Sequence, residues 1–272
     1  MSDVADRRWC GPAMVTGDGE RTAVEEQREV AVVIGGGGGL GAATSHRLAQ
    51  AGTHVCVVDI AADPAQRVAA GLVADGFSAS SHVCDVTSSA AVDLLAAGVA
   101  ERFGAPRVLV NLAGAVRNAV LAKITDADFE LVLGTHLVAT LHTVRAFAPA
   151  MKERGYGRIV NTSSVAARGV VAGISYGAAK GGIEALTRSA AIELAKHGVT
   201  VNCVEPGVVA TGMFLSTPGE FQRSQIAQIP AGRPGRPEEI AACIAFLASR
   251  DASYVTGQTL TVCGGLSVGA LR

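Results

Sequence analysis

The chain has 272 residues, 49% of them hydrophobic and 17% charged, with a formal net charge of −1. That length suits one large α/β domain or two small ones, with ample core for independent folding. The near-neutral balance leaves no electrostatic footprint for nucleic acid or an anionic membrane surface, so neither is expected as a partner. No apolar run in the sequence approaches the roughly 18 residues of a membrane span. The first 27 residues hold no apolar segment of a signal peptide, so the expected location is the cytoplasm.

Residues 1–28 are polar and glycine-rich without periodicity, which predicts a flexible extension. From residue 29 onward strand and helix patterns alternate. Strands are expected at 29–34, 53–59, 78–85, 107–114, 157–164, 199–207 and 258–265. Helices are expected at 42–52, 63–75, 88–104, about 126–152, 175–197 and 237–249, with a less regular stretch up to about 235. Near-continuous apolar strands separated by helices indicate a parallel sheet covered on both faces. The expectation is one α/β domain over 29–272 with a doubly wound, seven-stranded parallel sheet (a Rossmann fold), whose ligand lies at the carboxyl ends of the strands.

Six cysteines are scattered without a CxxC pair, which fits small buried side chains in a reducing compartment. The six histidines do not group with Cys or Asp at metal-ligand spacing, and no metal is expected.

The stretch VVIGGGGGLGAA (32–43) holds five successive glycines, then Leu40 and Gly41. Read alone it resembles a flexible linker. Its placement, with a strand before and a helix after, fits a phosphate loop better: Gly35, Gly38, Gly39, Leu40 and Gly41 would give the turn, the backbone approach to a pyrophosphate and the helix packing. The helix N-terminus then offers free N–H groups to the phosphates. Asp59 ends the second strand, 18 residues after Gly41, and is followed by Ile60. An acid there accepts from an adenosine ribose and repels a 2′-phosphate, so NAD is expected rather than NADP.

Tyr176-Gly-Ala-Ala-Lys180 follows Ser163-Ser164. Here the chain resembles the short-chain dehydrogenase/reductase family in its single-domain form. The likeness extends over residues 29–265, with a flavour of 3-oxoacyl-(acyl carrier protein) reductases, 3-hydroxyacyl-CoA dehydrogenases and hydroxysteroid dehydrogenases. Gly35-xxx-Gly39-Leu40-Gly41 is similar to the family's glycine loop, with Ile34 where threonine is usual. Asp85-Val86 resembles the pair that contacts adenine. Asn111-Leu112-Ala113-Gly114 resembles its NNAG turn with one change. Pro206-Gly207, Val209 and Thr211 match the segment that closes over nicotinamide, and Cys263 stands where aspartate is common.

The resemblance implies that Tyr176 is the acid/base, that Lys180 lowers its pKa and holds the nicotinamide ribose, and that a serine hydrogen-bonds the substrate oxygen. Lys180 lies four residues after Tyr176, on the same helix face. A unit charge about 4 Å away, at an effective dielectric near 20, contributes roughly 4 kcal/mol. That is about three pKa units, enough to bring a tyrosine towards neutrality. Which serine acts is open. Counting 13 residues back from the tyrosine selects Ser163, whereas aligning the strand end selects Ser164, which is preferred because strand geometry fixes side-chain direction. Arg168 in the following loop either meets an anionic substrate or, as favoured, faces solvent.

In Thr135-His136-Leu137, His136 occupies the place of a family asparagine that helps hold a relay water. Two readings stand: a relay imidazole that titrates near neutrality, which is preferred, and a satisfied core histidine. Residues 208–230 are expected to form a substrate lid whose Met213, Phe214, Leu215, Phe221 and Ile226 make an apolar pocket. The functional expectation is an NAD-dependent oxidoreductase that interconverts a secondary alcohol and a ketone, foremost a 3-oxoacyl/3-hydroxyacyl thioester. A hydroxysteroid or other cyclic alcohol comes next, and a non-catalytic NAD-binding protein is the remote alternative. The resemblance further implies a homotetramer or homodimer.

Overall fold

Strand β1 (Val30–Ile34) sends its side chains alternately into two cores. Val30, Val32 and Ile34 enter one, and Ala31 and Val33 the other. This is the pattern of a strand buried on both faces. The computed structural model that shows it describes residues 29–269, so the expected extension at 1–28 lies outside the described residues.

Seven strands follow the sequence pattern: β1, β2 (His54–Asp59), β3 (Ala79–Val83), β4 (Val108–Asn111), β5 (Gly157–Thr162), β6 (Val199–Pro206) and β7 (Thr259–Val262). They form one sheet in the order β3-β2-β1-β4-β5-β6-β7. Every neighbouring pair is parallel. The expected doubly wound α/β sheet is therefore the observed one.

Helices α1 (Gly39–Gln50) and α2 (Ala62–Ala74) bury Leu48 and Leu72 on one face. Helix α3 (Ser89–Phe103) buries Val92 and Val99 on the other. Helix α4 (Asp126–Leu133) passes through a π-helical turn, Gly134–Val138, into α5 (Ala139–Arg154). Helices α6 (Ile174–Leu194), α7 (Gly212–Leu215), α8 (Gly219–Ile226) and α9 (Pro237–Ala248) complete the chain. The face with α3 also receives Phe147 and Met151 from α5 and Leu194 from α6, and the opposite face receives Ile244 and Leu247 from α9.

Two differences from expectation have local causes. The long helix is not uniform: Thr135 Oγ1 donates to Leu131 O at 2.8 Å and Thr140 Oγ1 to His136 O at 2.7 Å. Such back-bonding competes with the regular ladder and accompanies the π turn. The irregular stretch before residue 235 contains α7 and α8, too short for a periodicity to show. Among the described residues one helix run, Asp126–Arg154, is long and apolar enough to cross a membrane by length and composition. Its Val144, Phe147 and Met151 are built into the core.

The strand order reverses between β1 and β4. The loops leaving these two strands meet there: a Cβ on Gly35 would lie 2.7 Å from Ala113 N. Such a switch point is where an open α/β sheet receives its ligand.

Candidate active site

Gly35 opens the loop after β1 at φ +75°, a conformation that favours glycine. Gly36 N donates to Val58 O at 2.8 Å, and Ala42 N to Gly38 O at 2.7 Å, so the loop turns directly into α1. Helix α1 has Gly38 at its N-cap, no capping side chain and no acidic residue in its first turn. The N–H groups of Gly39, Leu40 and Gly41 are thus offered to an anion. Asp59 braces this loop from β2: Oδ2 accepts from Gly37 N and Oδ1 from Ala61 N, both at 3.1 Å. Ile60 beside it is 67% exposed. A backbone cradle that side chains would fill, an uncapped helix start and an acid at the second strand end fit a nicotinamide dinucleotide.

The other expected contacts surround this cradle. Asp85 Oδ1 is held by Thr87 N at 3.0 Å and by Thr87 Oγ1 at 2.6 Å. Val86 is buried, and its carbonyl accepts from His142 Nδ1 at 3.1 Å. Past the end of β6, Gly207 N donates to Val262 O at 3.0 Å, Thr211 N to Val209 O at 2.8 Å, and Ala210 N to Gly235 O at 2.8 Å. The segment from Pro206 folds back until Thr211 lies against Gly39, 3.6 Å from where a Cβ would stand.

Asn111 departs from its expected part. Its Nδ2 donates to Asn161 Oδ1 at 2.9 Å, and its Oδ1 accepts from Thr143 Oγ1 at 2.8 Å. The amide therefore ties β4 to β5 and α5 instead of reaching for a ligand.

Tyr176, in the first turn of α6, has Ser164 as a neighbour, whose hydroxyl favours the ionised phenol. Ser163 turns away: it is 2% exposed and donates to Glu184 Oε1 at 2.7 Å. Lys180 is almost wholly buried, and its Nζ donates to Thr162 O at 2.7 Å. Burial lowers the Lys180 pKa to about 8.

The expected depression of the tyrosine is not observed. Burial holds the Tyr176 phenol above its ordinary value, and the neighbouring Ser164 side chain opposes it. The reason lies in position: Lys180 Nζ stands over the Tyr176 ring, 5.5 Å from its centroid, with its bond spent on Thr162 O.

His136 meets the same tyrosine edge to face, with ring centroids 5.3 Å apart and planes at 81°. Its Nε2 donates to Ala115 O at 2.8 Å, leaving Nδ1 as a buried acceptor with no protein partner. The imidazole fits only because residue 114 is glycine: a Cβ there would lie 1.8 Å from His136 Cε1. Burial and the nearby Lys180 ammonium lower the His136 pKa to about 3. The expected titration near neutrality is thereby corrected, and the ring is neutral at physiological pH. A cavity of about 10 Å³, lined by His136, Asn111, Ala113 and Thr140 among others, lies beside it. That is room for one water.

Arg168 is exposed, as favoured, and its guanidinium at the same time pairs with a buried carboxylate. Its Nε donates to Glu205 Oε1 at 3.0 Å and its Nη2 to Oε2 at 2.6 Å. Thr162, Ala115, Glu184 and Glu205 were missed by sequence reasoning. The first two act through carbonyls and carry no side-chain signal. Glu184, four residues after Lys180, and Glu205, an acid inside an apolar strand, were visible as anomalies. In the lid segment Phe214 is partly buried, while Leu215 is 58% and Phe221 50% exposed. The Met213 side chain is outside the described residues.

A family model described as enoyl-(acyl carrier protein) reductase matches residues 35–267. The chain is 42% identical to the short-chain reductase protein NovJ of Streptomyces niveus over 246 residues, 88% of this chain and 94% of the relative. It is 37% identical to the (2S)-[(R)-hydroxy(phenyl)methyl]succinyl-CoA dehydrogenase subunit BbsD of Thauera aromatica over 242 residues, 89% of this chain and 98% of the relative. A crystal structure of levodione reductase superposes with a TM-score of 0.85 at 32% identity, covering 88% of this chain and 98% of the other.

Proposed function

Because this chain belongs to the short-chain dehydrogenase/reductase family, oxidoreductases that use a nicotinamide cofactor on CH–OH groups, we propose that it interconverts a 3-hydroxyacyl and a 3-oxoacyl thioester with NAD(H). The observation that carries the reading is the grouping of Ser164, Tyr176 and buried Lys180 at the carboxyl ends of the strands, with Lys180 Nζ 5.5 Å from the Tyr176 ring centroid. The similarity to a dehydrogenase of a hydroxyacyl-CoA supports the thioester.

Bound NAD(H) supplies or accepts the hydride at the carbon. The chain does the rest. Ser164 donates to the substrate oxygen. Tyr176 moves the proton at that oxygen: in reduction the carbonyl π bond breaks as the hydride reaches carbon and the phenol proton reaches oxygen. With its pKa held up by burial the phenol is resident as the acid, the form that ketone reduction consumes. Lys180 contributes a buried positive end beside the tyrosine and the cofactor cradle. His136 acts as a neutral acceptor that holds one water through Nδ1. Its Nε2 proton is committed to a backbone carbonyl, which cannot carry a proton onward.

NAD rather than NADP is proposed because the Asp59 carboxylate stands in the glycine loop, which has no Arg or Lys between Gly35 and Gly41. A cytoplasmic location is supported by the cysteines, all free among the described residues. Self-association as a homodimer or homotetramer is supported by exposed Leu131, Val138 and Leu141 along α4, the π turn and α5, and light scattering measures it. The reading is tested by NADH turnover over a panel of acyl thioesters and sterols. Thioesters should be turned over; activity confined to sterols transfers the proposal to a hydroxysteroid, and none on any carbonyl or alcohol overturns it.

A further inference from the structure

Arg168 and Glu205 tie together two walls of the site that are far apart in sequence. Arg168 ends the 3₁₀ turn Val165–Arg168, four residues after Ser164. Glu205 precedes Pro206-Gly207, where the segment leading to Thr211 begins. The two join in bidentate fashion, Nε to Oε1 and Nη2 to Oε2, at 3.0 and 2.6 Å. Thr261, the register partner of Glu205 on β7, donates to Oε2. Arg168 Nη1 reaches Ser267 O at 3.4 Å.

The asymmetry of burial gives the pair a direction. Glu205 is 1% exposed, and a carboxylate so buried is tolerated only when paired and hydrogen-bonded, as both of its oxygens are here. Arg168 keeps 53% of its side chain exposed, so the loop reaches in to a buried strand end. A planar fork on a carboxylate sets orientation as well as distance, which an ammonium does not. The backbone so anchored is the one that holds the serine: Ala166 N donates to Ser164 Oγ at 3.2 Å and Ala167 N to Ser164 O at 2.8 Å.

We propose that Arg168 and Glu205 are positioning residues, a clasp that sets the Ser164 wall of the site against the Gly207–Thr211 wall. Neither touches the reacting atoms. The part concerning turnover rests on Ser164 and Tyr176 being the reacting pair.

The test uses Arg168→Lys, which keeps the charge and loses the fork, and the double variant Arg168→Met/Glu205→Gln, which removes both charges. Hydrogen exchange of the cofactor-free proteins is followed over 164–173 and 207–211, together with melting temperature, NADH affinity and kcat. In Arg168→Lys, exchange should rise in both segments, NADH affinity should hold within about threefold, and kcat should fall about tenfold or more, as displaced reacting groups require. The double variant should recover the wild-type melting temperature without recovering kcat. Exchange that rises in 164–173 alone, or in neither segment, overturns the clasp. So does a double variant with normal kcat. Should the wild type reduce no ketone, the exchange arm still decides the clasp, and only the functional reading falls.

Discussion

Ser163 and Glu184 are joined by a 2.7 Å hydrogen bond that turns the first of two adjacent serines into the core. Ser164, one residue on, is left on the side of Tyr176. The extended backbone just past β5 makes this division, since neighbouring side chains on an extended chain point to opposite sides. Ser164→Ala should therefore lower kcat by about 10²-fold or more with the melting temperature preserved, the loss typical of a donor at a developing oxyanion. Ser163→Ala should keep kcat and lose on the order of 1 kcal/mol of stability, a buried hydrogen bond. Steady-state kinetics and thermal melts of the two variants measure it, and the reversed pattern would reassign the serine.

Tyr176→Phe should reduce turnover by about 10²–10⁴-fold, the range of a lost acid/base group. NADH binding should be retained, because the cradle is built from Gly35–Gly41 and Asp59. Fluorescence titration with NADH reads the second half. Near-normal turnover by this variant refutes the assignment of the proton transfer.

Lys180 couples activity to stability. Its folded pKa of about 8 lies below the ordinary 10.5. Between those values the unfolded chain binds more protons, so stability rises with pH from about 8 to 10.5, and below 8 the full cost of burying the ammonium is present. Lys180→Met should thus be more stable than wild type below pH 8, by on the order of 3 kcal/mol for the difference between 10.5 and about 8. That gain should shrink towards pH 10.5, and the variant should lose turnover throughout. Denaturant melts across this pH range report it.

His136 makes the fold sensitive to acid. Its pKa falls from 6.5 to about 3 on folding, so the unfolded chain takes up a proton first as pH drops below 6.5. At pH 5 the gap from 6.5 is about 1.5 units, worth about 2 kcal/mol lost. His136→Asn should flatten the stability profile between pH 6.5 and 3 while keeping substantial activity. His136→Leu should also flatten it but lose activity, since it holds no water. A fully active Leu variant would reduce His136 to a packing residue against Gly114.

Asp59 should decide the cofactor. At equal concentration the wild type should prefer NADH, and Asp59→Asn should narrow the preference by removing the charge that repels a 2′-phosphate. A wild type that prefers NADPH overturns the cofactor reading.

The sheet, the glycine loop and the Tyr176–Lys180 pair were legible in the sequence because each is local. Strand and helix periods show within a few residues, Gly35–Gly41 joins consecutive elements, and Tyr176 and Lys180 are one helical turn apart. The partners were not. Arg168 meets Glu205 across 37 residues, and His136 meets Ala115 and Ser163 meets Glu184 across 21 each. Such contacts exist only once the strands have stacked in their order. The same holds for protonation: the sequence placed a lysine beside a tyrosine, but burial raised the phenol and lowered the lysine and histidine. Desolvation belongs to the assembled interior, so residue types and spacing determined which groups could react, and the tertiary structure decided which serine faces the tyrosine and in what charge state the site rests.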